Sequence, residues 1–286
     1  MHQPSSDRHS AAAQERRPTP AAAAPSPIPV EAVEAVAPPA VAAFERAYVV
    51  PRRPVVLRQL AGDWPARRRW SLDYLHDQFG TAAVRTFRTD DGRIAMQSPT
   101  GAVQGTMRLG EFIALLRTGS PSCYLTSRLA ELPAALRADV RPPAYCADAG
   151  WQNGNLWIGA AGTVAPLHRD LADNLHVVIE GRKRIMLVAP QLSAHVYPNP
   201  LYDPFPNGCR SNIEAPDFTA FPKLRGVQAL VAELAAGDAI YIPRRWWHHV
   251  RTMEPSISVN FWWARGARSA LLVAADRLKR LRGINR

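Results

Sequence analysis

Between Leu156 and Trp263 the chain reads as one short strand after another. The stretches "LWIGAAG", "NLHVVIEG", "KRIMLVAP", "DAIYIP", "WWHHVRT" and "SISVNFWW" are rich in β-branched and aromatic residues and are separated by Gly or Pro. Six such runs in succession argue for a sandwich or jelly roll rather than alternating β-α units. The fold class expected is therefore mainly β, with flanking α-helices contributed by the preceding segment.

That segment supplies them. "WSLDYLHDQFG" has Ser71 as a cap, Leu72, Leu75 and Phe79 at helical spacing, and Gly80 as a stop. "RLGEFIALLRTG" reads as a second helix, and "AAVRTFR" and "RIAMQ" as strands around the "DDG" turn at 90–92. A short strand is expected around Pro54–Gln59 and another extended piece at "SCYLTSRL". Residues 1–40 are Ala/Pro-rich with almost no aromatics, which points to a disordered arm. The main domain is then 41–266, with its strand-rich core at about 156–263. Residues 267–286 carry Leu271, Leu272, Ala275, Leu278 and Leu281 at helical spacing among arginines. This basic tail reads as a packing helix, with a homodimer-forming helix as the alternative. A long Pro-rich connection runs from Gln191 to Leu234, and loops of that length tend to be functional.

Composition narrows the setting. The net charge of +11 raises RNA as a partner, but the basic residues are dispersed over 67–70, 181–184, 244–247 and the tail. The three cysteines form no C-x-x-C pair, so a reducing, cytoplasmic compartment is expected. There is no basic-then-apolar leader and no run near the roughly 18 apolar residues of a membrane span, so no membrane association is expected. The Ala/Arg/Pro usage is that of a bacterial protein from a high-GC genome.

Chemistry concentrates in two stretches. "GTVAPLHRDLADN" puts His168 and Asp170 two residues apart, and residues i and i+2 of a strand share a face. The pair could converge on a metal ion or be no more than a polar pair at a sheet edge. "GDAIYIPRRWWHHV" at 237–250 offers a third ligand from a distant strand. Two histidines and one carboxylate on one face of a metal leave three cis positions open, the arrangement that non-haem Fe(II) uses. Zinc more often takes thiolates or a nearly filled set.

The order of these elements resembles the cupin-like Jumonji-C (JmjC) hydroxylases, a group that includes asparaginyl hydroxylases. The matching residues are His168-x-Asp170, Asn174, "GRKR" at 181–184, the 237–250 stretch, and "VNFW" at 259–262. The resemblance implies a double-stranded β-helix (jelly roll or cupin), with Fe(II) held by His168, Asp170 and His248. It implies 2-oxoglutarate as cosubstrate and O2 as oxidant. Lys183 would pair with the distal carboxylate of the cosubstrate, Asn174 and Asn260 would donate to it, and Tyr124 would offer its hydroxyl to the same end. His249, one residue beyond the third ligand, should face away. Ala165 stands where the family often has Thr or Ser, so one hydrogen bond of about 1 kcal/mol is expected to be missing. Arg169 and Arg244–Arg245 are read as solvated, with a place at the substrate entrance as the alternative. The activity implied is hydroxylation of a protein or peptide side chain, the 191–234 connection lining the substrate groove, with succinate and CO2 as co-products. The alternatives are the same chemistry on tRNA or a small metabolite, and a non-enzymatic metal-binding module. Histone demethylation is disfavoured because the chain has no Cys/His zinc module.

Overall fold

The computed structural model describes residues 28–90, 92–94, 104–119, 121–149, 153–203 and 205–264. Three short strands come first: β1 (Val30–Ala32), β2 (Ala35–Val36) and β3 (Val55–Leu57). Then follow β4 (Ala83–Asp90), β5 (Arg93–Ile94), β6 (Gln104–Arg108) and β7 (Cys123–Arg128). The strand-rich half supplies β8 (Gly154–Gly159), β9 (Val164–Arg169), β10 (Asp173–Glu180), β11 (Lys183–Val188), β12 (Ala229–Leu234), β13 (Ala239–Ile242), β14 (Trp247–Thr252) and β15 (Ser256–Trp263).

These last eight strands are shared between two facing antiparallel sheets, ordered β8-β15-β10-β13 and β9-β14-β11-β12, the chain changing sheet at every step except from β11 to β12. That interleaving is the double-stranded β-helix expected from the sequence. β7 extends the first sheet beyond β8, and β4 and β6 follow it. β5 pairs with both β4 and β9 and joins the two sheets at that edge.

Strand periodicity decides which face each residue serves. On β10 and β15, Leu175, Val177, Ile179, Ile257, Val259 and Phe261 point outward into a core completed by helices Leu72–Phe79 and Leu109–Arg117. Ser71 caps the first helix, its hydroxyl accepting the Tyr74 N–H at 3.1 Å. The intervening positions, Asn174, His176, Ser256, Ser258 and Asn260, point between the sheets. The outer face of the other sheet is covered by the long connection, whose Ile213, Leu224 and Val227 pack on Leu167, Met186, Val188 and Trp247.

Two boundaries differ from expectation. Composition assigns all of 1–40 to a disordered arm, yet β1 adds in parallel to β12, β2 adds to β3, and Ile28 is buried. Two open sheet edges and one apolar anchor offset the ordering of residues 28–36, and composition does not register either. The 191–234 connection also ends early, because Ala229–Leu234 is β12. Its Ala and Glu residues mute the strand signal. Residues 1–27 and the tail 267–286 lie outside the described residues. Among the described residues no helix is long and apolar enough to cross a membrane.

Candidate metal centre

His168 on β9 stands directly opposite His248 on β14 in the antiparallel register. Asp170 lies just past the end of β9, and its carbonyl accepts the Arg245 N–H at 2.8 Å, which ties this corner to the turn that starts β14. Ligand atoms of His168, Asp170 and His248 all fall within 4.8 Å of one another. Each imidazole is oriented the same way. His168 Nδ1 is 2.7 Å from the Pro166 carbonyl, and His248 Nδ1 is 3.2 Å from that of Trp246. A neutral ring that donates through Nδ1 presents the Nε2 lone pair, the form a metal takes.

The carboxylate is held as firmly. Asp170 Oδ2 accepts from Trp262 Nε1 at 2.8 Å and from Asn174 Nδ2 at 3.1 Å, and lies 3.6 Å from His248 Nε2. Burial alone would raise the Asp170 pKa, but His248, His168 and the two hydrogen bonds hold it below the usual value. Burial, reinforced by His168, pushes His248 down to about 4 against the pull of Asp170. The result is an ionised carboxylate beside a neutral His248 imidazole, the protonation states that metal binding requires of these two groups.

Across the interior sits a second pole. Lys183 on β11 is buried at 1% exposure and donates to the Tyr124 hydroxyl at 3.0 Å. Lys183 pairs with Thr252 while Leu187 pairs with His248, so lysine and metal ligands are four residues apart along the sheet, about 13 Å. Burial lowers the Lys183 pKa to about 7 and raises that of Tyr124. Gly159 makes room for the tyrosine: a Cβ there would lie 2.5 Å from the Tyr124 ring. Among the described residues no carboxylate pairs with Lys183. His176 Nε2, Ser256 Oγ and Ser258 Oγ are buried without partners on the inward face opposite. An ammonium and several unmet polar atoms in a water-poor interior suit a small anion. A 2-oxo diacid, chelating at the histidine end and ionised at the lysine end, fits this donor set.

The asparagines form a chain behind the carboxylate: Trp157 Nε1 donates to Asn260 Oδ1 at 2.8 Å, Asn260 to Asn174 at 3.2 Å, and Asn174 to Asp170. They orient the carboxylate. His249 faces away, its Nε2 3.5 Å from Glu214, which also binds Arg251. Arg169 is not simply solvated; it is half-buried with its guanidinium 4.7 Å above the Trp247 ring. Arg245 is exposed, and Arg244 spends its N–H on Asp173. Ala165 pairs with Val250 between the sheets and adds no polar group. Only part of the long connection reaches the centre, where Gly208 bridges to His168 and the Phe205 ring lies 6.2 Å from the imidazole. The sequence reading missed Trp262, Trp157 and His176, although the alternation from Asn260 and Asn174 places Trp262 and His176 on the inward face.

Residues 41–269 match the cupin-like domain family. The chain is 34% identical over 237 residues to lysine-specific demethylase JMJ30 of Arabidopsis thaliana, covering 79% of this chain and 53% of that protein. Lysine-specific demethylase 8 of Xenopus tropicalis is 32% identical, with 79% and 51% covered. The human bifunctional peptidase and (3S)-lysyl hydroxylase JMJD7 is 27% identical, with 87% and 89% covered. The chain thus spans about half the length of the two demethylases and most of the length of the hydroxylase. All three relatives are eukaryotic and lend no support to the bacterial origin read from composition.

Proposed function

Because the chain belongs to the cupin-like JmjC family, we propose that it is an Fe(II)- and 2-oxoglutarate-dependent oxygenase that hydroxylates a side chain of a protein or peptide. The observation that carries this reading is a buried lysine, with no carboxylate partner among the described residues, facing the same interior as a two-histidine, one-carboxylate cluster. Neither feature stabilises the fold by itself. Together they match the two ends of one chelating diacid.

His168, Asp170 and His248 would hold the iron, and Lys183 with Tyr124 the far carboxylate. When bound, Fe(II) with 2-oxoglutarate and O2 supplies the oxidising power that puts one oxygen atom into a C–H bond as the 2-oxo acid becomes succinate and CO2. The chain's own share is geometric. Trp262 and Asn174 fix the Asp170 carboxylate, whose negative charge strengthens a site that neutral imidazoles alone would hold more weakly. The Pro166 and Trp246 carbonyls fix the imidazoles. The buried lysine end would keep water from the far carboxylate of the cosubstrate.

The relatives' names suggest a lysyl side chain as the target. Hydroxylation at a chain carbon would leave the oxygen on the product. Hydroxylation at an N-methyl group would release formaldehyde, and it is the second reading because two relatives are named demethylases. The test is aerobic incubation with Fe(II), ascorbate and 2-oxoglutarate, with and without lysine-bearing peptides, scored for succinate, peptide mass and formaldehyde. Succinate above a His168→Ala control and a gain of one oxygen on peptide support the proposal. Equal succinate from both proteins overturns it.

A further inference from the structure

Among the polar inward residues of β10, Asn174 serves the metal centre and His176 does not. Its neighbours in register are Asn260 on β15 and Ile240 on β13. Ile240 has no polar atom to offer. Asn260 is engaged elsewhere, accepting from Trp157 and donating to Asn174. His176 Nε2 is left buried with no partner, and the residue is 7% exposed. Val178, Ile185, Leu187, Ile240 and Ile242 nearby are apolar, and the neighbouring inward hydroxyls of Ser256 and Ser258 are themselves without partners among the described residues. An aliphatic side chain would therefore fill the position without leaving an unmet polar atom. A histidine here needs a partner that the described residues do not supply.

The interior between Lys183 and the metal ligands is where that partner would come from. Burial, with Lys183 and His248 nearby, keeps the ring neutral, so it carries one N–H and adds no charge against Lys183. We infer that His176 donates this N–H to the distal carboxylate of the cosubstrate beside Lys183, and so favours a dicarboxylic over a monocarboxylic 2-oxo acid. This rests on the oxygenase reading above and assigns one further specificity-determining residue within it.

The experiment compares two acids of equal chain length, 2-oxoglutarate and 2-oxopentanoate, titrated calorimetrically into the full chain loaded with Mn(II). With His176→Leu, 2-oxoglutarate affinity is expected to fall about 10- to 100-fold, the worth of one hydrogen bond to a charged group. Affinity for 2-oxopentanoate, which lacks the distal carboxylate, should be unchanged. His176→Gln, which keeps an N–H donor, should recover part of the loss. Thermal unfolding checks that each variant folds, and His176→Met replaces the leucine variant if it does not. Unchanged 2-oxoglutarate affinity, or an equal loss for both acids, overturns the inference while leaving the oxygenase reading intact. Wild-type protein that binds neither acid with Mn(II) present overturns both.

Discussion

His168 and His248 face each other across one antiparallel pair, with ring centroids 4.1 Å apart and planes inclined at 54°. Successive residues of β14 keep unbroken register with β11 and face opposite sides, so only one of its two adjacent histidines shares that interior. His248→Ala is therefore expected to lose stoichiometric metal after reconstitution. His249→Ala should keep the metal and lose stability instead, since it leaves Glu214 and Arg251 repacked around a cavity. Metal content after gel filtration separates the two.

The Asp170 carboxylate depends on donors behind it. Replacing Trp262 by Phe or Asn174 by Ala removes one hydrogen bond each from Oδ2. Partners of this kind typically contribute 10- to 100-fold in metal affinity, and a loss of about that size is expected for either variant. Competition with a fluorescent chelator measures it, and thermal unfolding controls for damage to the fold.

Lys183 makes both stability and cosubstrate affinity depend on pH. Its folded-state pKa of about 7 lies below the roughly 10.4 of an unfolded lysine. Between these values the unfolded chain holds a proton that the folded chain lacks, so apo stability rises with pH across this window. Lys183→Met removes the dependence and should stabilise the apo protein by a few kcal/mol near pH 7, at about 1.36 kcal/mol per unit of displacement. Binding of 2-oxoglutarate needs the ammonium form. Its Kd should therefore rise by up to about tenfold per pH unit above 7, and the Met variant should bind weakly at every pH. Urea unfolding and 2-oxoglutarate titration at several pH values check both signs.

Gly159 is the cheapest way to move Tyr124 without touching it. A methyl group 2.5 Å from the tyrosine ring forces the ring aside and weakens its hydrogen bond with Lys183. Gly159→Ala should cost about 1–3 kcal/mol of stability, typical of overpacking. It should also weaken 2-oxoglutarate binding while leaving metal affinity near wild type, which distinguishes the lysine end of the site from the histidine end.

The strand-rich half is legible from sequence because period-2 alternation and punctuation by Gly and Pro are local signals. His168 and Asp170 stand out by spacing, whereas His248 and Lys183 are singled out by the resemblance to the JmjC hydroxylases. What local pattern does not carry is partnership across strands. Nothing in "VNFWW" says that Trp262 reaches Asp170 on another strand, or that Asn260 spends its amide on Asn174. The parallel addition of Val30–Ala32 to β12 was hidden for the same reason, since the edge it completes lies some two hundred residues away. Arg169 looked solvated because its charge is local and the Trp247 ring beneath it is not.

The most direct measurement of the central claim is a calorimetric titration of 2-oxoglutarate into the protein with and without Mn(II), alongside His168→Ala and Lys183→Met. One acid should bind per chain only when metal is present, with affinity lost in the first variant for want of metal and in the second for want of the ammonium. Binding of equal strength without metal, or undiminished in Lys183→Met, would contradict the placing of one diacid between the two poles.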